Sequence, residues 1–540
     1  MKHPNFIPHA IALIGFATAY AWLSQRPGTE PLVLQGIGYV VLAATVAFAF
    51  KILGVTPRAL AKLRSTQPTG LKGTAAWASK KEIRKVKSNK RRGYLAGMKG
   101  KFAVWLSIES SALILAPAGS GKTRDFVIPA LMSQRSSMIV ADLKGTLAAI
   151  TAKFRRKVFG HKIYILNPGG RFHKILGKGA RFNPLQILMR DWSDPERHKF
   201  LMSDARMLAS QLLPEPIRSG ENEFFRNGSR KLLVFAMLYL VATTGKVTLS
   251  RMLDLLSDLG QLTEVLILAS EDERLKGDLS RMAKDILGKM TEGRPEQLES
   301  FREGALQVLE PFSPSGVLAD ATEESDFEFA DLRRKKGTVY IVCDPTQQDA
   351  FASWLGLVME SAKTELMRQT DGKEVVFMVD EATNFRFKSL PGLLTSAREF
   401  KLRMILVVQE LEQWAHVYGR EALDTLLSQT ELKIIHGTQS QKTAQLVSDM
   451  LGEYSVMTTS VNEGQGFFDR AQKTKSEAGR RLLMPDEVRK CDKAIVFYRN
   501  TSPMLLNRIG YHEVSPWWRQ AAPNPLFGKK RYKGKIKLRL

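Results

Sequence analysis

Residues 111–123 read SALILAPAGSGKT, a short apolar segment that leads into a glycine-rich turn ending in Gly-Lys-Thr. Small residues in such a turn let successive backbone N–H groups point at phosphate oxygens. Lys122 would place its ammonium on the β- and γ-phosphates of a nucleoside triphosphate, and Thr123 would give its hydroxyl to Mg²⁺. The residues expected to contact the nucleotide, with ATP and Mg²⁺ as cofactors, are Ala116, Pro117, Ala118, Gly119, Ser120, Gly121, Lys122 and Thr123.

A second chemical pattern is the segment EVVFMVDEA at 374–382, an apolar strand that ends in two adjacent acids. Acids at the carboxyl end of a strand lie in the ligand crevice of a parallel sheet. Asp380 would hold the magnesium, and Glu381 would polarise the attacking water as general base. The pair of acids therefore predicts hydrolysis of the nucleotide as well as binding.

Two further apolar segments end in polar side chains. Gln409 follows RMILVV and would emerge next to Asp380, where it could sense the γ-phosphate. Asp142 and Lys144 follow SSMIVA and would lie beside the phosphate-binding loop. The sequence indicates no chemical role for these last two residues.

The elements that position these residues are short, apolar segments rich in β-branched residues, alternating with helical periodicities. They predict an α/β fold in which helices cover both faces of a mostly parallel sheet. From Gln186 to Leu332 the strand signal is nearly absent, which predicts an inserted all-α domain. The predicted strands are Ala112–Ala116, Ser137–Ala141, Lys162–Leu166, Gly337–Cys343, Glu374–Val379, Arg403–Val408, Glu431–His436 and Lys493–Tyr498.

The chain has 540 residues and a formal net charge of +26, and its basic residues are concentrated in two regions. Between Thr56 and Lys101 there are 14 Lys and Arg against one acid, and no acid follows Glu513. Such surfaces attract nucleic acid or anionic lipid headgroups. For the first region, a solvated charged face that sets membrane topology is an equal alternative. The two cysteines, Cys343 and Cys491, indicate no disulfide framework and fit a reducing cytosol.

Two apolar segments near the N-terminus, Phe6–Leu23 and Leu32–Leu53, are each long enough to cross a bilayer. Together they predict a transmembrane helical hairpin, with a pair of buried core helices as the alternative. The basic cluster after Leu53 places the N-terminus and the bulk of the chain in the cytoplasm. The expected location is therefore a bacterial inner membrane, crossed more than once.

The predicted organisation has six parts. They are a transmembrane helical hairpin (1–55), a basic juxtamembrane linker with a β-rich leading segment (56–105), the first part of a nucleotide-binding domain (106–185), the all-α insertion (186–332), the second part of the nucleotide-binding domain (333–515) and a basic C-terminal tail (516–540).

In order and spacing, these motifs resemble the type IV coupling proteins of bacterial conjugation and type IV secretion systems. The resemblance covers most of the chain. The general phosphate-loop pattern has Gly at the position of Ala116, and the resemblance implies that Ala is usual there in this family. The segments that carry it, after the two apolar ones, are KGTAAWASKKEI, APAGSGKT, ADLKG, LNP, RFNPL, EVVFMVDEA, VVQEL and LMPDEVRK.

The resemblance implies a RecA-like, FtsK-type motor ATPase that works as a hexamer. In such an assembly a neighbouring subunit supplies an arginine to the γ-phosphate, and Arg398 in LLTSAREFKLR is the matching position. By the same resemblance the all-α domain receives substrates. The partners would be DNA bound without sequence preference together with relaxase, or protein effectors, and also the secretion channel.

Two other functions stay open on the sequence alone. One is an FtsK-like DNA translocase that is not tied to a secretion channel. The other is a nucleotide-gated membrane scaffold without turnover, against which the set of Lys122, Thr123, Asp380 and Glu381 argues.

Overall fold

The computed structural model describes residues 68–88, 93–215, 223–291, 295–462, 472–528 and 536–537, together with positions 18, 21, 22, 39, 40 and 43. The chain divides into two compact units. The larger unit comprises Ala76–Leu451 and Leu483–Leu540, and the smaller comprises Met1–Ala75 and Gly452–Leu482.

The described residues form fifteen strands. In chain order they are β1 (Tyr94–Lys99), β2 (Phe102–Leu106), β3 (Ser111–Leu115), β4 (Ser137–Asp142), β5 (Lys162–Leu166), β6 (Gly337–Val342), β7 (Val375–Val379), β8 (Leu402–Val408), β9 (Leu432–Ile435), β10 (Glu453–Asn462), β11 (Gln472–Arg481), β12 (Ala494–Tyr498), β13 (Met504–Leu506), β14 (Val514–Ser515) and β15 (Ile536–Lys537).

The first of the helices precedes β1, and the others lie between the strands. They are α1 (Lys80–Val86), α2 (Ile128–Ser133), α3 (Thr146–Phe159), α4 (His173–Leu176), α5 (Gln186–Ser193), α6 (His198–Leu212), α7 (Glu223–Thr244), α8 (Leu249–Ser257), α9 (Leu259–Ser270), α10 (Asp278–Thr291), α11 (Pro295–Leu309), α12 (Ala319–Glu323), α13 (Asp331–Arg334), α14 (Gln348–Arg368), α15 (Leu390–Ser396), α16 (Leu411–Tyr418), α17 (Arg420–Gln429), α18 (Gln441–Leu451), α19 (Pro485–Lys490) and α20 (Trp517–Gln520).

The centre of the larger unit is a nine-stranded sheet in the order β13-β12-β9-β3-β8-β7-β4-β6-β5. The seven strands from β9 to β5 are parallel, and only β12 and β13 at one edge introduce antiparallel pairs. The predicted α/β fold with a mostly parallel sheet is thus confirmed. Each of the eight predicted strands is present, with ends that differ by no more than one residue.

Both faces of the sheet are buried, which explains why its strands are continuous apolar runs. Ile114, Val140 and Val407 pack with α2 and α3 in one core cluster. Their neighbours Leu113 and Ile139 point to the other face and are equally buried. Because successive side chains of a strand alternate between faces, this burial pattern requires cover on both sides.

The sheet order places the ends of β7 and β8 between those of β3 and β4. The chain leaves β3, passes through α2 and enters β4 three positions away, and β7 and β8 later fill the two positions between them. Since parallel strands end at the same edge of a sheet, residues that follow β3, β4, β7 and β8 converge there.

Between β5 and β6 the described residues contain helices and no strand. This stretch runs from α4 to α13, and α7 is its longest helix, with a largely buried surface. Ion pairs from Arg368 on α14 to Asp191 on α5 (2.9 Å) and to Asp204 on α6 (2.6 Å) connect this stretch to the rest of the larger unit.

One local difference from the sequence prediction follows the phosphate-binding loop. The segment TRDFVIPALM after the loop would be a single α-helix in the usual pattern, but it starts as a π-helical turn, Thr123–Val127, and continues as α2. Pro129 lies at the start of α2 and has no backbone N–H to donate, so a carbonyl of the preceding turn lacks its regular helical donor.

Part of the expected basic linker is helical, because Ser79 and Glu82 form a capping box for α1.

In the smaller unit, β10 and β11 form an antiparallel ribbon with pairs from Glu453↔Arg481 to Asn462↔Gln472. Residues of the 68–75 segment attach to it. The Ala75 N–H donates to the Glu453 carbonyl (2.9 Å). Gly73 has a φ of +143°, and a Cβ atom added to it would lie 2.3 Å from the same carbonyl oxygen. Only glycine lets the segment approach so closely.

Apart from the isolated positions named above, the predicted transmembrane segments lie outside the described residues, as do residues 529–535 and 538–540 of the basic tail. Within the described ranges no single helix combines the length and apolar composition of a membrane span. Helices α7 and α8 pass that test only as a pair, and they are bent by 107° at the break between them.

Candidate functional site

The glycine-rich loop leaves the carboxyl end of β3 and turns back toward the π-helical turn. Gly119 and Gly121 have φ of +76° and +89°, which glycine adopts without strain. Ser120 closes the turn, because its N–H (3.2 Å) and its hydroxyl (2.7 Å) both donate to the Pro117 carbonyl. The residues predicted to contact nucleotide, Ala116, Pro117, Ala118, Gly119, Ser120, Gly121, Lys122 and Thr123, are thus contiguous in one loop at the carboxyl edge of the sheet.

Lys122 is almost fully buried, with 7% of its surface exposed. Its ammonium lies 3.8 Å from Glu381 Oε1 and has no hydrogen-bond partner among the described residues. Burial lowers the pKa of Lys122, while the charges of Asp380 and Glu381 act in the opposite direction. A buried cation without a hydrogen-bond partner is costly, so this position suits an anionic ligand.

Strand register brings Asp380 to the same place. Val379 pairs with Ala141, and the Asp380 N–H continues the ladder to the Ala141 carbonyl (3.2 Å). Burial raises the pKa of Asp380 to about 6, and the neighbouring Lys122 works against that rise. Its Oδ1 atom is buried without a hydrogen-bond partner in the described structure. A buried carboxylate oxygen without a donor suits a hard cation such as Mg²⁺.

Glu381 is held by donors on several elements. Lys144 Nζ lies 2.5 Å from Oε1, Asn384 Nδ2 lies 3.0 Å from Oε2, and Gln409 Nε2 lies 3.4 Å from Oε1. The residue itself has a φ of +58°, a left-handed conformation that costs free energy in any residue with a side chain. The strained backbone and the donors together aim the carboxylate at the phosphate-binding loop.

Strand register also places Gln409 and Asp142 at this edge of the sheet. Val408 pairs with Leu115, so Gln409 follows β8 level with Ala116. Asp142 ends β4, is fully buried, and accepts the Ala148 N–H (2.7 Å) at the start of α3. Burial raises the pKa of Asp142 to about 7. Asp142 therefore fixes the start of α3, a role that the sequence did not indicate.

Arg398 is not part of this cluster. It lies between α15 and β8, at the amino edge of the sheet, with 71% of its side chain exposed. Its guanidinium pairs with Glu109 (2.9 Å), which precedes β3. The chain from Glu109 to Ala116 runs along β3 for about 20 Å, at about 3.3 Å per residue. Arg398 therefore lies at the opposite edge of the sheet from Lys122.

Two residues at the site escaped the sequence prediction. Asn384 follows Glu381 by three residues and donates to it, a short-range pattern that the segment DEATN could have indicated. Arg508 follows β13 and donates from Nη1 to the Ser120 carbonyl (2.8 Å) and from Nε to the Asp492 carbonyl (2.7 Å). No motif surrounds Arg508, so the sequence carries no signal for it.

A glycine-rich loop after a central parallel strand, with two carboxylates that follow another strand of the same sheet close to its lysine, defines a P-loop nucleotide-binding protein. The family model for type IV secretory system conjugative DNA transfer matches residues 70–534. The chain therefore belongs to this family, as its motifs predicted.

Curated relatives agree with the family assignment. Protein VirD4 of Rhizobium rhizogenes is 26% identical over 461 residues, which are 82% of this chain and 65% of the relative. The conjugal transfer protein TraG of Escherichia coli is 22% identical over 519 residues, 87% of this chain and 77% of the relative. The chain thus spans slightly less than two-thirds of the length of VirD4.

Solved structures of the bacterial conjugative coupling protein TrwB share the fold. The unbound form of TrwBdeltaN70 has a TM-score of 0.57 at 18% identity, covering 81% of this chain and 93% of its own. TrwB in complex with ADP and Mg²⁺ also has a TM-score of 0.57, at 17% identity and with the same coverage of both chains.

Proposed function

We propose that this chain is a membrane-anchored, Mg-ATP-hydrolysing coupling protein. It recruits DNA with its relaxase, or protein effectors, and delivers them to a type IV secretion channel. Family membership over residues 70–534 supports the coupling function. The observation that supports hydrolysis most directly is the Glu381 carboxylate, which lies within reach of Lys122, Lys144 and Gln409 at the phosphate-binding loop.

The loop residues bind the nucleotide in this proposal. Backbone N–H groups of the loop face the phosphates, and the Lys122 ammonium pairs with the β- and γ-phosphates. Among the described residues Lys122 Nζ has no hydrogen-bond partner, and the phosphates supply it with partners. Thr123 and Asp380 would hold Mg²⁺, which when bound neutralises phosphate charge as a Lewis acid. The unpartnered Oδ1 of Asp380 supports this assignment.

Glu381 acts as the general base. Its carboxylate accepts a proton from the attacking water, and Lys144 and Asn384 hold the carboxylate in place. Gln409 contacts the same carboxylate and senses the γ-phosphate. Because these donors come from three different segments, a shift of any one of them changes where Glu381 points.

Arg398 completes the site of a neighbouring subunit. Arg398 lies at the amino edge of the sheet, too far from Lys122 of the same chain to contact a nucleotide there. Its side chain is exposed, so it can contact a second copy of the chain. An arginine in trans spreads the transition-state charge and makes hydrolysis depend on assembly. The assembly that the family resemblance implies is a homo-hexamer.

The apolar segments Phe6–Leu23 and Leu32–Leu53 support a location in the bacterial inner membrane, with the rest of the chain in the cytoplasm. The curated relatives are named as VirD4 and conjugal transfer proteins, which supports transfer substrates as cargo. The helical segment between β5 and β6 is assigned to receive them. Basic surfaces suit phosphate contacts that do not read bases.

The test is a transfer assay in cells that carry the channel and a mobilisable plasmid. Glu381→Gln should still cross-link to its cargo but should stop plasmid transfer, because the carboxamide accepts no proton from water. Lys122→Ala should lose both nucleotide binding and transfer. Lys153→Ala, an exposed position on α3, is the matched control for loss of a lysine. Normal transfer by Glu381→Gln would contradict the proposal and favour a scaffold without turnover.

A further inference from the structure

The chain continues from Glu381 as an irregular segment. Residues 380–389 lie between β7 and α15 and form neither a helix nor a strand. Asn384, which donates to the Glu381 carboxylate (3.0 Å), lies within this segment. Because the segment has no regular ladder of backbone hydrogen bonds, its conformation depends on contacts with other elements.

Tyr418 at the end of α16 holds this segment from one side. Its hydroxyl oxygen lies 3.3 Å from the carbonyl oxygens of Ala382 and Phe385 and 3.3 Å from the backbone nitrogen of Phe387. The side chains of Phe385 and Phe387 are buried. These contacts join the segment to the helix that follows β8.

Gln211 holds the same segment from the helical stretch between β5 and β6. It lies near the end of α6, and only 3% of its surface is exposed. Its Nε2 donates to the Arg386 carbonyl (2.7 Å), and its Oε1 accepts the Lys388 N–H (3.0 Å). A side-chain amide carries a donor and an acceptor, so one glutamine satisfies both backbone groups.

Gly356 on α14 leaves the space that Gln211 occupies. A Cβ atom added to Gly356 would lie 2.2 Å from Gln211 Nε2 and 2.7 Å from the Arg386 carbonyl oxygen. Both distances are far below van der Waals contact, so a side chain here would displace the amide or the segment. Glycine destabilises the interior of a helix, and this close approach explains its presence in α14.

Together these contacts connect α6 to the hydrolytic carboxylate. They run from Gln211 through the backbone of residues 386–388 to Asn384, and from Asn384 to Glu381. We propose that Gln211 is a positioning residue for hydrolysis, through which the location of α6 sets the direction of the Glu381 carboxylate. This assignment rests on the proposed function of Glu381 as the general base. The helical stretch thereby acts on hydrolysis without contacting the nucleotide.

Gln211→Met tests the assignment, because methionine keeps the length of the side chain and removes both hydrogen bonds. In the full-length assembled protein, kcat for ATP hydrolysis should fall by about tenfold, and ATP affinity should change by less than about twofold. The phosphate-binding loop follows a different strand, so binding is spared. Wild-type kcat in folded Gln211→Met would overturn the assignment.

Asn183→Leu is the matched control for loss of a buried amide. Asn183 Nδ2 donates to the Val247 carbonyl, and its Oδ1 accepts the Leu185 N–H, both at 2.9 Å and away from residues 386–388. The control should keep kcat within about twofold of wild type. An equal loss of kcat in Asn183→Leu would overturn the assignment, since general loosening of the helical stretch would explain both variants.

Gly356→Ala disturbs the same contact without altering Gln211, and it carries the test if Gln211→Met does not fold. The added Cβ should displace the amide and lower kcat by about tenfold, again with ATP affinity nearly unchanged. Gly392→Ala on α15 is the matched control, because an added Cβ there meets no atom within 4 Å. Normal kcat in Gly356→Ala would overturn the assignment.

A double-variant cycle tests whether the effect passes through Asn384. Asn384→Ala alone should lower kcat by about tenfold, because Glu381 loses a donor. If Gln211 acts through Asn384, the double variant should also lose about tenfold, rather than the roughly 100-fold that independent effects would give. A roughly 100-fold loss would contradict this path.

The assignment and the proposed function fail in different ways. If Glu381→Gln hydrolyses ATP as wild type does, the proposed function fails and the assignment fails with it. If Glu381→Gln is inactive while Gln211→Met and Gly356→Ala turn over normally, only the assignment fails.

Discussion

Lys144 lies closer to Glu381 than the lysine of the phosphate-binding loop does. Lys144 Nζ is 2.5 Å from Glu381 Oε1, whereas Lys122 Nζ is 3.8 Å from the same oxygen. The ADLKG segment at the end of β4 thus contacts the carboxylate that follows β7, and these two strands are neighbours in the sheet. Lys144 therefore helps to set the position of the expected general base.

Lys144→Met tests this contact. The side chain is half exposed, so its removal should change the free energy of unfolding by no more than about 1 kcal/mol. Loss of the contact should let Glu381 move and lower kcat by about 10- to 100-fold, with little change in ATP affinity. Steady-state hydrolysis and thermal unfolding are measured together. Wild-type kcat in a folded Lys144→Met protein would show that Lys144 does not position Glu381.

Glu365 on α14 should make stability depend on pH. It is buried, accepts the Ala330 N–H (3.3 Å) and lies 3.6 Å from Arg190 Nη1. Burial raises its pKa from 4.5 to about 7. The folded state therefore keeps a proton that the unfolded state releases, so the contribution of Glu365 to stability falls as pH rises from 4.5 to about 7.

Glu365→Gln removes that ionisation and keeps an oxygen for the Ala330 N–H. The variant should raise Tm at about pH 8 by about 2 °C or more and have a smaller effect at about pH 5. Glu399→Gln, an exposed acid, is the matched control and should show no such difference. An equal shift of Tm at both pH values would contradict the burial argument.

Arg398 should act on a neighbouring subunit. Arg398→Ala subunits mixed into wild type should depress ATP hydrolysis more than simple dilution, because each variant subunit disables the site beside it. Arg156→Ala, on the exposed side of α3, is the control for mixing. Hydrolysis per wild-type subunit should also rise with protein concentration. Activity that falls strictly in proportion to the wild-type fraction would leave Arg398 as a surface residue paired with Glu109.

The basic regions should make DNA binding steeply dependent on salt. The logarithm of affinity should fall linearly with the logarithm of salt concentration, with a slope of about −0.9 for each duplex phosphate contacted. Removal of residues 529–540 should flatten this slope and weaken binding to unrelated sequences equally. If the slope stays the same, the tail does not contact DNA, and co-sedimentation with anionic liposomes becomes the next measurement.

The sequence predicted the parts of the fold that are buried on both faces. Strands such as β3 and β7 are continuous apolar runs, and the polar residues that follow them mark the carboxyl edge. The ribbon of β10 and β11 was not predicted, because its strands are polar and gain their partners from each other and from residues 68–75.

For the candidate site, the sequence predicted which residues lie at the carboxyl edge of the sheet but not which side chains contact each other there. Sequence order placed Lys122, Asp380, Glu381 and Gln409 there, and the structure brings their side chains together. The contact of Lys144 with Glu381 depends on β4 lying beside β7, which no local pattern indicates. Arg508 reaches Ser120 because β12 and β13 add to the far edge of the sheet, another long-range pairing.

The most direct test of the proposed hydrolysis is phosphate release in a single turnover by wild type and Glu381→Gln in the same assembled state. Glutamine has nearly the same size as glutamate, so the substitution changes the carboxylate and little else at residue 381. The variant should bind ATP as wild type does but release phosphate at least about 100-fold more slowly, because no carboxylate accepts the water's proton. Release at the wild-type rate would contradict Glu381 as the general base and, with it, the assigned catalytic site.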